Sequence, residues 1–309
     1  MLRPVAKPTL QFVLAFLWLL ACAPAVAQEP EVAATLAFTE GPTVDRDGNV
    51  YFTEMTTQRI MKLSVGGVLS TYREKSNNAN GLVIDPEGRL IACEGAESTR
   101  NGVRIVGSPR VTRTDLRTGK MEILADNYQD MPLRGPNDVT IDQKGRIFFT
   151  DLAGSAVYRI DAAGGLTRIL SAPDVQRPNG IQISPDDTKL YVADSFPPPN
   201  GVRVLRVYDL LPDGSVRNAR VLYDFGKARG TDGMSVDREG NLYAAAGSRI
   251  SGNTGIHVIS PEGKLIKIIS IPEDPITNDA FGGPDMKTLY VTAGKTLYKI
   301  RTEIPGLPR

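Results

Sequence analysis

The stretch Asn137-Asp138-Val139-Thr140-Ile141-Asp142, followed by Gly145-Arg146-Ile147-Phe148-Phe149, reads as a β-hairpin. A polar residue leads into a short apolar strand, Asp142 closes that strand, a glycine-containing turn reverses the chain, and a second apolar strand returns. The same phrase recurs upstream as Glu40-Gly41-Pro42-Thr43-Val44-Asp45 with Gly48-Asn49-Val50-Tyr51-Phe52, and as Asn80-Gly81-Leu82-Val83-Ile84-Asp85 with Gly88-Arg89-Leu90-Ile91. Downstream it returns as Asn179-Gly180-Ile181-Gln182-Ile183-Ser184 with Lys189-Leu190-Tyr191-Val192, lacking the turn glycine, and as Asp232-Gly233-Met234-Ser235-Val236-Asp237 with Gly240-Asn241-Leu242-Tyr243. A weaker sixth copy starts near Asn278, passes Phe281-Gly282-Gly283-Pro284-Asp285 and ends on Thr288-Leu289-Tyr290-Val291. Successive copies begin 40, 57, 42, 53 and 46 residues apart. Between them lie further strand pairs, such as Val157–Ile160 and Leu166–Leu170 joined through Gly164-Gly165. Four short strands in each such interval make a propeller blade. No segment carries a sustained 3.6-residue apolar period with caps, so helix is scarce. The expectation is an all-β chain, a six-bladed β-propeller with four-stranded antiparallel blades around a central channel, rather than a β-sandwich. Pairing of a strand at 34–38 with the last strand, at 296–300, would join the first and last blades and leave no long open edge.

Radial repetition brings equivalent positions to equivalent places. The residues that open the copies are Glu40, Asn80, Asn137, Asn179, Asp232 and Asn278, each a carboxylate or carboxamide. Asn and Asp also favour turns, where their side chains bond nearby amides, and that explains one or two of them. Six oxygen-bearing side chains at one recurring position point to a shared ligand at the mouth of the channel. A hard divalent cation suits such a ring, Ca²⁺ best of all, with Zn²⁺, Mn²⁺ and Mg²⁺ as alternatives. Glu40 and Asp232 supply the two negative charges, and the Asn residues add neutral oxygens.

Composition narrows the chemistry further. The 309 residues hold 36 Lys+Arg against 35 Asp+Glu, a net charge of +1, which gives no footprint for nucleic acid or an anionic membrane surface. One His and two Cys exclude a His-cluster site and a disulfide framework. At the N-terminus, Arg3 and Lys7 precede the apolar run Leu10–Leu20, and Ala25-Val26-Ala27 has the small-x-small pattern of a cleavage site. Residues 1–27 therefore read as a secretory signal peptide, with residues 28–309 as one mature propeller domain in the periplasm or secreted, and no transmembrane span after processing. Leu19-Leu20-Ala21-Cys22 offers the competing reading of a lipoprotein signal, with Cys22 as the lipid anchor point. Cys93 lies in the strand-like run Leu90-Ile91-Ala92-Cys93 and reads as a small core residue. His257, in Gly255-Ile256-His257-Val258-Ile259, reads as a strand residue away from the channel mouth.

The segments Glu40-Gly41-Pro42, Gly135-Pro136-Asn137-Asp138, Arg177-Pro178-Asn179-Gly180-Ile181, Thr231-Asp232-Gly233-Met234 and Phe281-Gly282-Gly283-Pro284-Asp285, in this order and spacing, resemble the SMP-30/gluconolactonase/LRE-like family across essentially the whole mature chain. The resemblance implies a six-bladed propeller with a divalent metal in its channel and hydrolysis of sugar lactones or organophosphates. It implies Glu40, Asn179 and Asp232 as metal ligands, Asn137 as a ligand or substrate contact, and Asp232 also as the acid/base residue. Asn80 joins Asn137 as a candidate substrate contact. Arg134 stands one residue from where some members use an arginine for substrate, and Arg134-Gly135 replaces the Asn-Ser found before Pro-Asn-Asp in many bacterial relatives. The segment Gly95–Arg110 is longer than usual, either a lid or an inert loop. Glu54, Glu94, Asp151 and Asp194 end second strands and read as structural partners of turns rather than catalysts.

The expected activity is that of an exported, metal-dependent lactonase acting on a small-molecule lactone. A phosphotriester or other ester hydrolase, and a non-catalytic ligand- or protein-binding propeller with a structural metal, are the alternatives.

Overall fold

Ile147-Phe148-Phe149-Thr150-Asp151 is buried along its whole length. Because side chains alternate faces along a strand, Phe148 and Phe149 point to opposite sides of their sheet. Phe148 joins an apolar cluster with Ile181, Leu190 and Tyr208 of the following blade, and Phe149 joins one with Ile91, Cys93 and Val111 of the preceding blade. A sheet covered on both faces explains why the second strands read as continuous apolar runs rather than alternating ones. Each fully buried Phe contributes about 2–3 kcal/mol of transfer free energy, so the core is a set of apolar layers between neighbouring blades.

This computed structural model describes residues 29–100, 102–196 and 201–307; the expected signal peptide and Cys22 lie outside the described residues. It is a six-bladed β-propeller of four-stranded antiparallel sheets, with no helix among the described residues. Blade one runs from Thr39–Val44 through Val50–Glu54 and Arg59–Leu63 to Leu69–Arg73. Blade three runs from Pro136–Ile141 to Leu166–Ser171 and blade four from Pro178–Ile183 to Val216–Asp224, each beginning with its innermost strand. Blade two begins at Leu82–Ile84, and a separate two-stranded hairpin, Ser98–Arg100 with Val103–Ile105, interrupts it. Blade five begins at Met234–Val236.

The ring closes on itself. Ile276–Gly282, Thr288–Ala293 and Thr296–Arg301 form three strands of blade six, and the N-terminal Glu31–Thr35 supplies the outermost fourth. The closing strand therefore lies three residues earlier than the sequence suggests. The segment at 36–38 instead turns the chain inward to blade one, with the amide of Leu36 donating to Lys295 and that of Thr39 to Gly294.

The recurring Asp and Gly of the hairpin phrase have separate tasks. Asp45 Oδ1 accepts from the amides of Asp47 and Asn49, and Asp142 Oδ1 from those of Lys144 and Arg146. The turn glycine takes a left-handed conformation, as at Gly145 (φ 74°). In blade four, where glycine is missing, Asp187 adopts that conformation (φ 56°).

Deleting Glu31–Thr35 exposes the edge of Thr296–Arg301, and thermal melting should register a fall of about 10 °C or more, corresponding to the loss of several kcal/mol. An unchanged melting temperature would mean that this pairing does not hold the ring shut.

Candidate metal centre

Each innermost strand carries a bulge where it meets the channel. In blade one the pairing shifts between Glu40 and Thr43, in blade three between Pro136 and Val139, and in blade four between Pro178 and Ile181. In blade two the amide of Asn80 donates to Cys93 and Cys93 donates back to Gly81, so two residues face one. Asp232 and Gly233 face Ala245 in the same way. A bulge re-aims a side chain that a regular strand would send into the interface between blades, and here it turns the polar residue toward the axis.

The residue after the bulge position lets the blades approach. The amide of Gly81 donates to the carbonyl of Asn137 at 2.8 Å, and that of Gly180 to Asp232 at 2.8 Å. A Cβ on Gly180 would sit 2.4 Å from the Asp232 carbonyl oxygen, and one on Gly81 2.7 Å from that of Asn137. Second-strand hydroxyls brace the equivalent carbonyls of other blades, Thr53 Oγ1 donating to Asn80 at 3.2 Å and Thr150 Oγ1 to Asn179 at 2.7 Å.

Five of the six expected ring residues line one cavity of about 700 Å³: Glu40, Asn80, Asn137, Asn179 and Asp232. Arg134 lines it as well. Their side chains form a directed chain. Asn80 Nδ2 donates to Asn137 Oδ1 (2.9 Å), Asn137 Nδ2 to Asn179 Oδ1, and Asn179 Nδ2 to Asp232 Oδ1 (2.7 Å). The amide of Gly41 donates to Glu40 Oε2 at 3.2 Å. Arg229, three residues before Asp232, forms an ion pair with its Oδ2.

Asn278 departs from the ring. The amide of Gly233 bonds the carbonyl of Thr277, so the sixth position equivalent to Asn137 and Asp232 belongs to Thr277. Its hydroxyl turns outward and donates to the carbonyl of Thr39 at 2.9 Å. Asn278 occupies the next position and lines a second cavity, about 1100 Å³, at the other end of the innermost strands. There it donates to Asp138 Oδ2 at 3.2 Å. Burial pushes the Asp138 carboxyl up to about 7, opposed by the Val139 amide and Asn278 and reinforced by the charge of Asp232. Asp279, held by Ser235, lies well above the ordinary carboxylate range for the same reason.

Glu54, Glu94, Asp151 and Asp194 are anchors. Each receives hydrogen bonds from the segment that leads into its own blade: Asp151 from the Arg134 amide (2.9 Å), Asp194 from the Arg177 amide (2.9 Å), Glu54 from Phe38 (3.4 Å) and Glu94 from the Asn77 side chain (3.3 Å). These buried carboxylates position the loops around the cavity. The 95–110 segment is part of the wall: residues Ala96–Thr99 line the cavity, and Asn78 Nδ2 donates to Ser98 Oγ at 3.0 Å. Arg177, Arg203 and Arg229 also line it, and sequence reading gave none of them a role. Arg177 had a legible signal, standing directly before Pro178-Asn179.

A group of three or more His, Cys, Asp or Glu does not occur at a common point among the described residues. The donor set is thus two carboxylates with carboxamides, all oxygen, which fits a hard divalent cation and disfavours a softer one. Glu40, Asn137, Asn179 and Asp232 are the residues that would hold it.

Residues 38–295 match the SMP-30/Gluconolactonase/LRE-like region. The chain belongs to this family. Among its relatives, a gluconolactonase of Zymomonas mobilis is 27% identical over 313 residues, spanning 89% of this chain and 81% of the relative. A 6-deoxy-6-sulfogluconolactonase of Pseudomonas putida is 31% identical over 182 residues, 56% of this chain and 59% of its own. The crystal structure of regucalcin, a calcium-binding protein from Agrobacterium tumefaciens, superposes with a TM-score of 0.73 at 21% identity, covering 91% of this chain and 95% of that one, a likeness of fold. In this member of the SMP-30/gluconolactonase/LRE-like family neither Cys93 nor His257 lies at the site. Cys93 Sγ is buried 3.7 Å from the Asp138 carbonyl, and burial raises its thiol well above the usual range. His257 Nε2 lies 2.8 Å from the Asn253 carbonyl, and burial lowers its imidazole below 6.5.

A folded-state value below the unfolded one means that the unfolded chain binds this proton more readily, so His257 contributes stability above pH 6.5 that is lost as the pH falls below it. His257→Gln should flatten the loss of melting temperature as the pH falls below 6.5; identical profiles for both proteins would contradict this assignment.

Proposed function

We propose that this protein is a lactonase that hydrolyses sugar lactones in the cavity ringed by Glu40, Asn137, Asn179 and Asp232, with Ca²⁺ as the resident cation. The observation that carries the reading is the convergence of two carboxylates and two carboxamides from four blades onto one hydrogen-bonded cavity wall. Relatives named as lactonases support the reaction class. A cation held by these oxygens supplies Lewis-acid polarisation of the lactone carbonyl.

The rest of the chemistry falls to side chains of this chain. Asp232 is partly exposed in the cavity wall, with Oδ1 accepting from Asn179 and Oδ2 paired with Arg229. Both contacts fix its orientation, as a general base requires. In the proposed reaction, water adds to the lactone carbonyl carbon as Asp232 takes its proton. The ring C–O bond then breaks, and the same proton passes to the departing ring oxygen, leaving a hydroxy acid and an unchanged Asp232. Asn80 and Asn137 offer amide groups to substrate hydroxyls, and Arg134 stands at the rim. We further propose, from the basic, apolar and small-residue order of residues 1–27, that the protein is exported and works in the periplasm or outside the cell.

Asp232→Asn keeps the shape of the wall but removes the base, and kcat on D-glucono-1,5-lactone should fall by about 10³-fold or more. Chelator-stripped protein should be inactive and recover on titration with Ca²⁺, whereas Glu40→Gln should need a higher Ca²⁺ concentration for recovery. Full activity in Asp232→Asn, or in stripped protein, would overturn the mechanism.

A further inference from the structure

The wall of the cavity carries more positive charge than hydrolysis of a neutral sugar lactone calls for. Arg134, Arg177, Arg203 and Arg229 all line it, against Glu40, Glu97 and Asp232. Glu97 is already engaged by Arg104, through bonds of 2.6 and 2.9 Å. Glu40 and Asp232 face the cation of the proposed function, whose two charges offset theirs. The whole chain has a net charge of only +1, so this excess is local.

The four arginines are not alike. Arg229 is paired with Asp232 and donates to the Ile276 carbonyl at 2.8 Å, and Arg203 donates to the Ala228 carbonyl at 3.0 Å. Among the described residues, Arg134 and Arg177 have no carboxylate within ion-pair distance, although the Arg134 charge reaches Asp151 and both residues stand on braced backbone. Their amides are held by the buried carboxylates of Asp151 and Asp194, each at 2.9 Å. Pro178 further restricts Arg177 to an extended conformation. Two guanidinium groups are thus presented from neighbouring blades three and four on fixed stems. A guanidinium only donates and carries a full charge; a neutral sugar hydroxyl can accept from it but leaves that charge uncompensated. The partner that matches it is an acceptor-only planar oxyanion, held through charge-assisted and often paired hydrogen bonds.

We infer that the lactone taken by this site carries a second, anionic group, a carboxylate, bound by Arg177 and Arg134 while the lactone carbonyl lies at the Glu40–Asp232 side of the cavity. The inference rests on the lactonase reading above and adds the substrate class: acidic lactones, in which one end of the sugar acid is still ionised. Positive potential in the cup also accelerates capture of such a substrate, an effect that salt weakens.

The test compares D-galactaro-1,4-lactone with D-galactono-1,4-lactone, which share a ring and differ by the carboxylate, on the full Ca²⁺-loaded protein. The acidic lactone should have the higher kcat/KM by about tenfold or more, with the advantage shrinking as salt is raised. Arg177→Gln and Arg134→Gln should each cut the acidic-to-neutral ratio by about 10- to 100-fold, the range of a charge-assisted hydrogen bond, and Arg177→Lys should restore part of it. Calorimetry with D-galacturonate and D-galactose, which cannot be hydrolysed, reads the same pocket without turnover, and the uronate should bind at least about tenfold tighter in an Arg177-dependent way. Equal turnover of both lactones, or a ratio indifferent to both glutamine variants, overturns the acidic-substrate inference while leaving the lactonase reading intact. Uronate binding that depends on Arg177, with neither lactone turned over, upholds the anion site and overturns the lactonase reading instead.

Discussion

The hydrogen bond from the Gly180 amide to the Asp232 carbonyl, and its counterpart from Gly81 to Asn137, governs everything at the hub of this protein. It joins the innermost strand of one blade to that of the next, backbone to backbone, at a separation no side chain at the glycine would permit. Because the bond is made at the bulge, the residue whose carbonyl is gripped has its side chain turned to the axis. The polar residue and the glycine after it therefore form one device. The glycine sets how near the blades come, and that nearness lets Asn80, Asn137, Asn179 and Asp232 bond one another across blade boundaries.

A polar wall of this kind has a direction. Every link donates an amide toward Asp232, and Arg229 closes the far end with a guanidinium. The carboxylate at the end of such a chain is surrounded by donors on the protein side, which leaves its chemistry toward the cavity. The opposite end of the channel has another character. Asp138 and Asp279 are buried there, and both are pushed toward the neutral form. One inward-facing position in each of blades one to five thus feeds the proposed chemical site, and the position after it faces the other cavity in blade three, as Asn278 does in blade six.

Much of this was legible in the residues. The blade count follows from a repeated hairpin phrase, and the identity of five ring members follows from their place at its start. The sixth assignment failed for a physical reason. In blade six the opening polar residue stands one place later than elsewhere, and the true equivalent is Thr277, whose hydroxyl is spent on the Thr39 carbonyl. A sequence phrase aligns on polarity, whereas the blades align on the inter-blade amide bond. Of the arginines given no role, Arg177 and Arg229 lie in loops before innermost strands, that of Arg177 held by Asp194 from a different strand of the blade, and Arg203 opens the third strand of blade four, away from the hairpin phrase. The closing strand was displaced by three residues because only Ala34 of its five residues is buried and Val32 is exposed, so no alternating pattern marks where it begins.

Blade six is assembled from both ends of the chain, since Glu31 pairs with Lys299 and Thr35 with Thr296. During synthesis the first described strand must wait, unpaired, until nearly the last residues leave the ribosome. Contacts this distant in sequence are slow to form, and the waiting edge is open to association with other chains in the meantime. The same arrangement gives the finished molecule a latch. Fraying at either terminus opens one and the same blade, so resistance to local opening is concentrated at a single seam, between the strands at 31–35 and 296–301.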